Sequence, residues 1–174
     1  MDYRIHKKLL LLFALGTLAT SLTAAPILWN LTGTFDDGGS ASGSFVYDAN
    51  LNAYSAVNII TTLGSIRTGA THNFVSGGIA PSSIQVLFAA NSPQFTGSAA
   101  FAVFFNSPLT NGGGVIPITG REASCSDPTC ASPSGPARIL TIGSVSSTVP
   151  EPGTLTLLSL GGAALGLFRR RSSR

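Results

Sequence analysis

The sequence predicts an all-β fold: a single small sandwich or jelly-roll-like domain over residues 26–148, flanked by an N-terminal signal helix and a C-terminal transmembrane helix. Three observations carry this reading. Short apolar or alternating runs are separated by Gly, Pro, Asn and Ser through the middle of the chain. No stretch between them has the 3.6-residue periodicity of a long amphipathic helix. Each end, by contrast, pairs an uncharged apolar run with basic residues.

The first element, residues 1–25, is a secretory signal peptide by its tripartite pattern. Arg4, Lys7 and Lys8 are followed by the apolar Leu9 to Leu15, then by small and polar residues up to Ala24-Ala25. Cleavage after Ala25 places Thr23 and Ala25 at the small-residue positions but sets Pro26 beside the scissile bond. Cleavage after Ala24 avoids the proline and puts Leu22 three residues before the cut. An uncleaved anchor is the alternative, and export follows either way.

The middle, residues 26–148, has the length of one domain with one core. Its strands are expected at Ile27–Phe35, Ser42–Tyr47, Tyr54–Thr62, Thr71–Val75, Ser83–Ala89, Ser98–Phe105, Val115–Ile118 and Arg138–Ile142. In the first, Ile27, Trp29, Leu31, Gly33 and Phe35 share a side because successive strand side chains alternate. Gly38-Gly39 and Asp48-Ala49-Asn50 supply turn chemistry for a meander. Phe101, Val103 and Phe105 alternate with Ala102 and Phe104, so this run is apolar on both faces and reads as a central, covered strand.

The whole chain carries +3, but that charge belongs to its ends. Between Pro26 and Thr148, Arg67, Arg121 and Arg138 stand against Asp36, Asp37, Asp48, Glu122 and Asp127, a balance of −2 with no lysine. The basic residues at the termini therefore imply no nucleic-acid partner.

The last element, residues 149–174, joins three features in a fixed order. Val149-Pro150-Glu151-Pro152 is stiff and extended, because proline fixes its own φ and pushes Glu151 out of the α region. Thr154 to Phe168 is fifteen residues without a charge. As a helix it would span roughly 22 Å, short of a ~30 Å hydrocarbon core and so a marginal transmembrane span. Arg169, Arg170, Arg171 and Arg174 follow as a basic stop that favours the cytoplasmic side.

This triplet, span and arginine cluster resemble the PEP-CTERM sorting signal of Gram-negative bacteria, the tail processed by membrane proteases called exosortases. The same segment is also labelled an ice-binding protein C-terminal domain. Residues 26–148 show no regular Thr-x-Thr repeat, so that label brings no expectation of ice binding. Gly33 through Asp48, with Tyr54, is similar to the N-terminal part of many small exported PEP-CTERM proteins, a likeness that implies no activity.

The resemblance implies a precursor anchored in the inner membrane, cleavage by signal peptidase and exosortase, and a mature form at the cell surface or in the extracellular matrix. Exopolysaccharide is a further expected partner, and no cofactor is expected.

Chemistry in the middle is sparse. Cys125 and Cys130, in Cys-Ser-Asp-Pro-Thr-Cys, are expected to form a disulfide after export, since a metal site would need two further ligands and the only histidines are His6 in the signal and His72. Asp48-x-Asn50-x-Asn52 begins like a calcium loop, but Ala53 and Ile59 occupy its glycine and bidentate-acid positions, which favours a turn. No Gly-x-Ser-x-Gly elbow is present. Asp36 and Asp37 are adjacent, so their carboxylates diverge in a strand. His72 reads as a polar strand or turn position. Trp29, Tyr47 and Tyr54 could form a sugar-stacking platform, although packing into the core is the favoured reading. The expectation is a non-enzymatic surface or matrix protein, with a carbohydrate- or calcium-binding module as the alternative.

Overall fold

A computed structural model describes residues 25–90, 98–127 and 132–148. They form eight antiparallel strands: β1 (Ile27–Phe35), β2 (Ser40–Asp48), β3 (Ala53–Thr61), β4 (Thr71–Val75), β5 (Gln85–Ala90), β6 (Ala99–Phe105), β7 (Gly114–Cys125) and β8 (Pro133–Ser147). Each strand pairs with the next, and β1 also pairs with β8, so the sheet closes into a barrel.

The all-β expectation and the strand count hold, but the sandwich or jelly roll is replaced by an up-and-down barrel. Alternation alone cannot separate the two, because each buries one face of every strand. Closure depends on inward glycines that let the sheet curl. Gly33 faces Leu140 and the Gly143 backbone, and Gly120 lies under the Phe101 ring. At Gly43, φ is +144°, and its missing side chain lets the β3 backbone at Asn58 and Ile59 approach.

The bounds of β1 and β4 match the sequence reading. β7 and β8 run far beyond Val115–Ile118 and Arg138–Ile142. Gly120, Gly135 and Gly143 look like punctuation in the sequence, whereas Gly120 and Gly143 are packing positions inside long strands. The signal and transmembrane helices fall on residues 1–24 and 149–174, outside the described residues. Among the described residues no helix is long and apolar enough to cross a membrane.

The barrel interior is filled. Trp29, Leu31, Phe45, Ile59, Phe88 and Phe101 are fully buried. Phe45 lies 5.4 Å from Phe88 and 5.5 Å from Tyr54, ring centroid to ring centroid, within the range of favourable aromatic pairs. Outside the β5–β6–β7 wall, Leu87, Ala100 and Cys125 form a second small apolar cluster with Ile79 and Ala102. β6 is thus covered at Ala100 and Ala102, as its two-sided apolar sequence suggests, while Phe104 stays exposed.

An even number of up-and-down strands fixes where the loops fall. Residue 26, the β2–β3 turn, the β4–β5 and β6–β7 connections and Thr148 lie at one end. The β1–β2 turn and the β3–β4, β5–β6 and β7–β8 connections lie at the other.

Candidate functional site

The residues expected to carry sorting, Val149, Pro150, Glu151, Pro152, Thr154 to Phe168, Arg169, Arg170, Arg171 and Arg174, lie outside the described residues. The fold does show what they hang from. β8 ends at Ser147 after pairing with Gly114 of β7, and exposed Thr148 follows immediately. The sorting segment therefore begins where the closed sheet stops. Cys125 ends β7 and is buried, while Cys130 lies outside the described residues.

The polar side chains that the fold brings together are others. Parity along β7 places Ile116, Ile118, Gly120 and Glu122 on the inner face, and Arg138 stands opposite Glu122 on β8. Glu122, Arg138 and His72 are all fully buried. Arg138 Nε donates to Glu122 Oε2 at 2.6 Å, and Nη1 donates to Thr62 O at 2.8 Å and to Asp37 Oδ2 at 3.3 Å. The guanidinium carbon lies 4.2 Å from the centre of the Phe35 ring, a cation–π contact away from water.

The second oxygen of Glu122 is also taken. Thr61 Oγ1 donates to Oε1 at 3.0 Å while accepting the Ala70 N–H at 2.9 Å. His72 Nε2 lies 3.2 Å from the same Oε1. Burial works to raise the Glu122 pKa, but the His72 hydrogen bond and charge, with those of Arg138, outweigh it and hold it below the ordinary value. The carboxylate therefore serves as an acceptor for the Thr61 hydroxyl and the Arg138 guanidinium. Nδ1 of His72 has no hydrogen-bond partner among the described residues.

Asp37 closes the network from the β1–β2 turn. Its carboxylate accepts N–H groups from Gly39 at 3.0 Å, Ile66 at 3.3 Å and Arg67 at 3.4 Å. Burial pushes its pKa up, yet these N–H donors and Arg138 bring it below the ordinary value. The β3–β4 connection is pinned over this end by Arg67, which donates to Pro136 O at 2.8 Å and Ser124 Oγ at 3.0 Å.

Two carboxylates around one guanidinium, sealed from water, form a structural device. His72 does occupy a strand position, in β4, and what the sequence did not show is that it is buried there against Glu122. The signal that could have revealed the cluster was strand parity, since Ile116 and Ile118 set the side on which Glu122 falls.

The remaining candidates resolve locally. Asp36 and Asp37 diverge, though from the β1–β2 turn and not from a strand, Asp36 Oδ1 accepting the Ile139 N–H outside the barrel end. Asp48 Oδ1 accepts the Asn50 N–H at 2.9 Å, and Asn52 Oδ1 accepts the Tyr47 hydroxyl at 2.8 Å. These oxygens do turn work, and among the described residues no group of His, Cys, Asp and Glu is placed to hold a metal. Trp29 and Tyr47 are core residues, and Tyr54 packs against Tyr47 and Phe45. No sugar platform is left to them.

A match to this chain is found in neither the curated proteins nor the solved structures. Residues 148–172, starting one position past the closing strand, match the PEP-CTERM protein-sorting motif, and the chain is thus an exported protein directed to exosortase.

Proposed function

We propose that this chain is a non-enzymatic surface or extracellular-matrix protein whose barrel is cut from its membrane tail by exosortase and left in the exopolysaccharide layer. The observation that carries the reading is the sorting motif at residues 148–172, placed directly after the strand that closes the barrel. A cut within Val149-Pro150-Glu151-Pro152 removes Thr154 to Phe168 and the arginines and leaves β8, which ends at Ser147, whole. The non-enzymatic part of the reading is supported by the commitment of Asp37, Glu122 and His72 to a sealed network. Signal peptidase acts at the other end of the precursor.

Mass spectrometry of the surface protein from the native host tests the reading. Peptides should stop at or before Gly153, and intact arginine-containing tails on the surface protein would overturn it. The mature barrel should be retained by the host's own exopolysaccharide; passage in the flow-through contradicts a matrix role. Turnover of a glycosidase or esterase substrate contradicts the non-enzymatic part.

The reading includes a Cys125–Cys130 disulfide formed after export. Alkylation should label neither thiol until reductant is added, and labelling of both without reductant excludes the bridge.

A further inference from the structure

The two ends of the barrel differ in charge, and the tail leaves from the one with a single charged residue. Of the charged residues between Pro26 and Thr148, Asp36, Asp37, Arg67 and Asp127 lie in the connections of the far end. Arg121, Glu122 and Arg138 lie on the halves of β7 and β8 nearest that far end. Asp48 alone belongs to the end from which Thr148 departs, and it is turned to cap Asn50. That near end displays apolar side chains instead: Leu28 is 50% exposed, Leu51 75%, Ile84 50% and Val115 73%. Leu63 and Ile66 are exposed at the far end too, but Ile66 adjoins Arg67 in the chain and donates its N–H to Asp37.

Chain length confines this sparsely charged end. Six residues, Thr148 to Gly153, separate β8 from the apolar stretch that starts at Thr154. Fully extended, they hold Ser147 within roughly 25 Å of the first apolar residue, and two prolines limit how the segment can fold back. A tether this short gives a high effective concentration of the barrel end at the bilayer, so a weak apolar contact suffices to be populated. The absence of lysine and arginine there means that the contact would not depend on anionic lipid.

We propose that, while the tail is in place, the end tipped by Leu28, Leu51, Ile84 and Val115 rests on the phospholipid surface, and the charged end, with the sealed network, faces away. The proposal rests on the reading of Thr154 to Phe168 as a membrane span. It makes the scissile segment a short strut between barrel and bilayer, held where a membrane protease can reach it. Cutting the strut removes the tether and with it the contact.

Tryptophan quenching in the full 174-residue chain, reconstituted in phosphatidylcholine vesicles with brominated acyl chains, tests this. Trp29 is the one native tryptophan and is buried inside the barrel, so it contributes a common background. Leu51→Trp should lose emission on moving from ordinary to brominated vesicles, while Ser65→Trp, at the far end, keeps it. Val115→Trp is the second reporter should Leu51→Trp fail to fold, and it should also lose emission. If the chain floats with the vesicles but Leu51→Trp and Val115→Trp respond no more than Ser65→Trp, the docking proposal is wrong. If the chain does not float with the vesicles, the tail is no membrane span, and both readings fall together.

Discussion

Glu122 and Arg138 face one another across the β7–β8 ladder, joined at 2.6 Å and wholly out of water. The guanidinium is shared with Asp37, so it lies between two carboxylates. A buried charge that loses its partner is far more damaging than an absent pair. Arg138→Met should therefore lower stability by about 3–5 kcal/mol, read from urea midpoints. In the triple variant Asp37→Asn/Glu122→Gln/Arg138→Met the loss should be smaller than the sum of the single losses; strict additivity would show that the three groups are not coupled.

The same network sets a direction with pH. Asp37 and Glu122 both have folded pKa values below their unfolded ones, so the unfolded chain binds protons more readily at these groups. Their contribution is complete above the ordinary carboxylate range, about pH 4, and is lost as pH falls through it and below. The urea midpoint should drop on acidification, and the drop should be shallower in Glu122→Gln. A midpoint that rises on acidification would contradict the assignment.

Gly43 supplies a test of closure. Its φ of +144° disfavours any side chain, and a Cβ there would collide with the Asn58 carbonyl and the Ile59 Cα. Gly43→Ala should cost about 2–4 kcal/mol through strain and overpacking combined, against a change within about 0.5 kcal/mol at exposed Ser55. Thermal melts of the two alanine variants decide it.

Trp29 distinguishes packing from sugar binding. Trp29→Ala should lower stability by about 3–5 kcal/mol. Trp29→Phe should lose much less, because the indole N–H has no hydrogen-bond partner to forfeit among the described residues. Equal losses in both variants would mean that the indole N–H is satisfied in solution.

Strand positions were legible because each inner set is continuous: Ile27, Trp29, Leu31 and Phe35 announce β1 without help. Thr71–Val75 could be bounded because glycines stand close on either side of it. Barrel closure was not legible, since the β1–β8 pairing joins residues more than a hundred positions apart and leaves no mark in either strand alone. The network was missed for a related reason. Asp37, His72, Glu122 and Arg138 come from four separate parts of the chain, and each looks like a surface residue until the sheet turns it inward. The sorting tail was the most legible part because its information is linear: order, spacing and charge, with no tertiary partner required.

Pairing of β1 with β8 has a consequence for how copies of the chain can meet. An open sheet offers unpaired N–H and C=O groups along its rim, and at high concentration one rim adds to the next. In this chain the first strand and the last consume each other's rims along Asn30 to Phe35 and Leu140 to Ser146. Along that seam a neighbouring copy finds no open rim to add to, and only side chains are left to meet it.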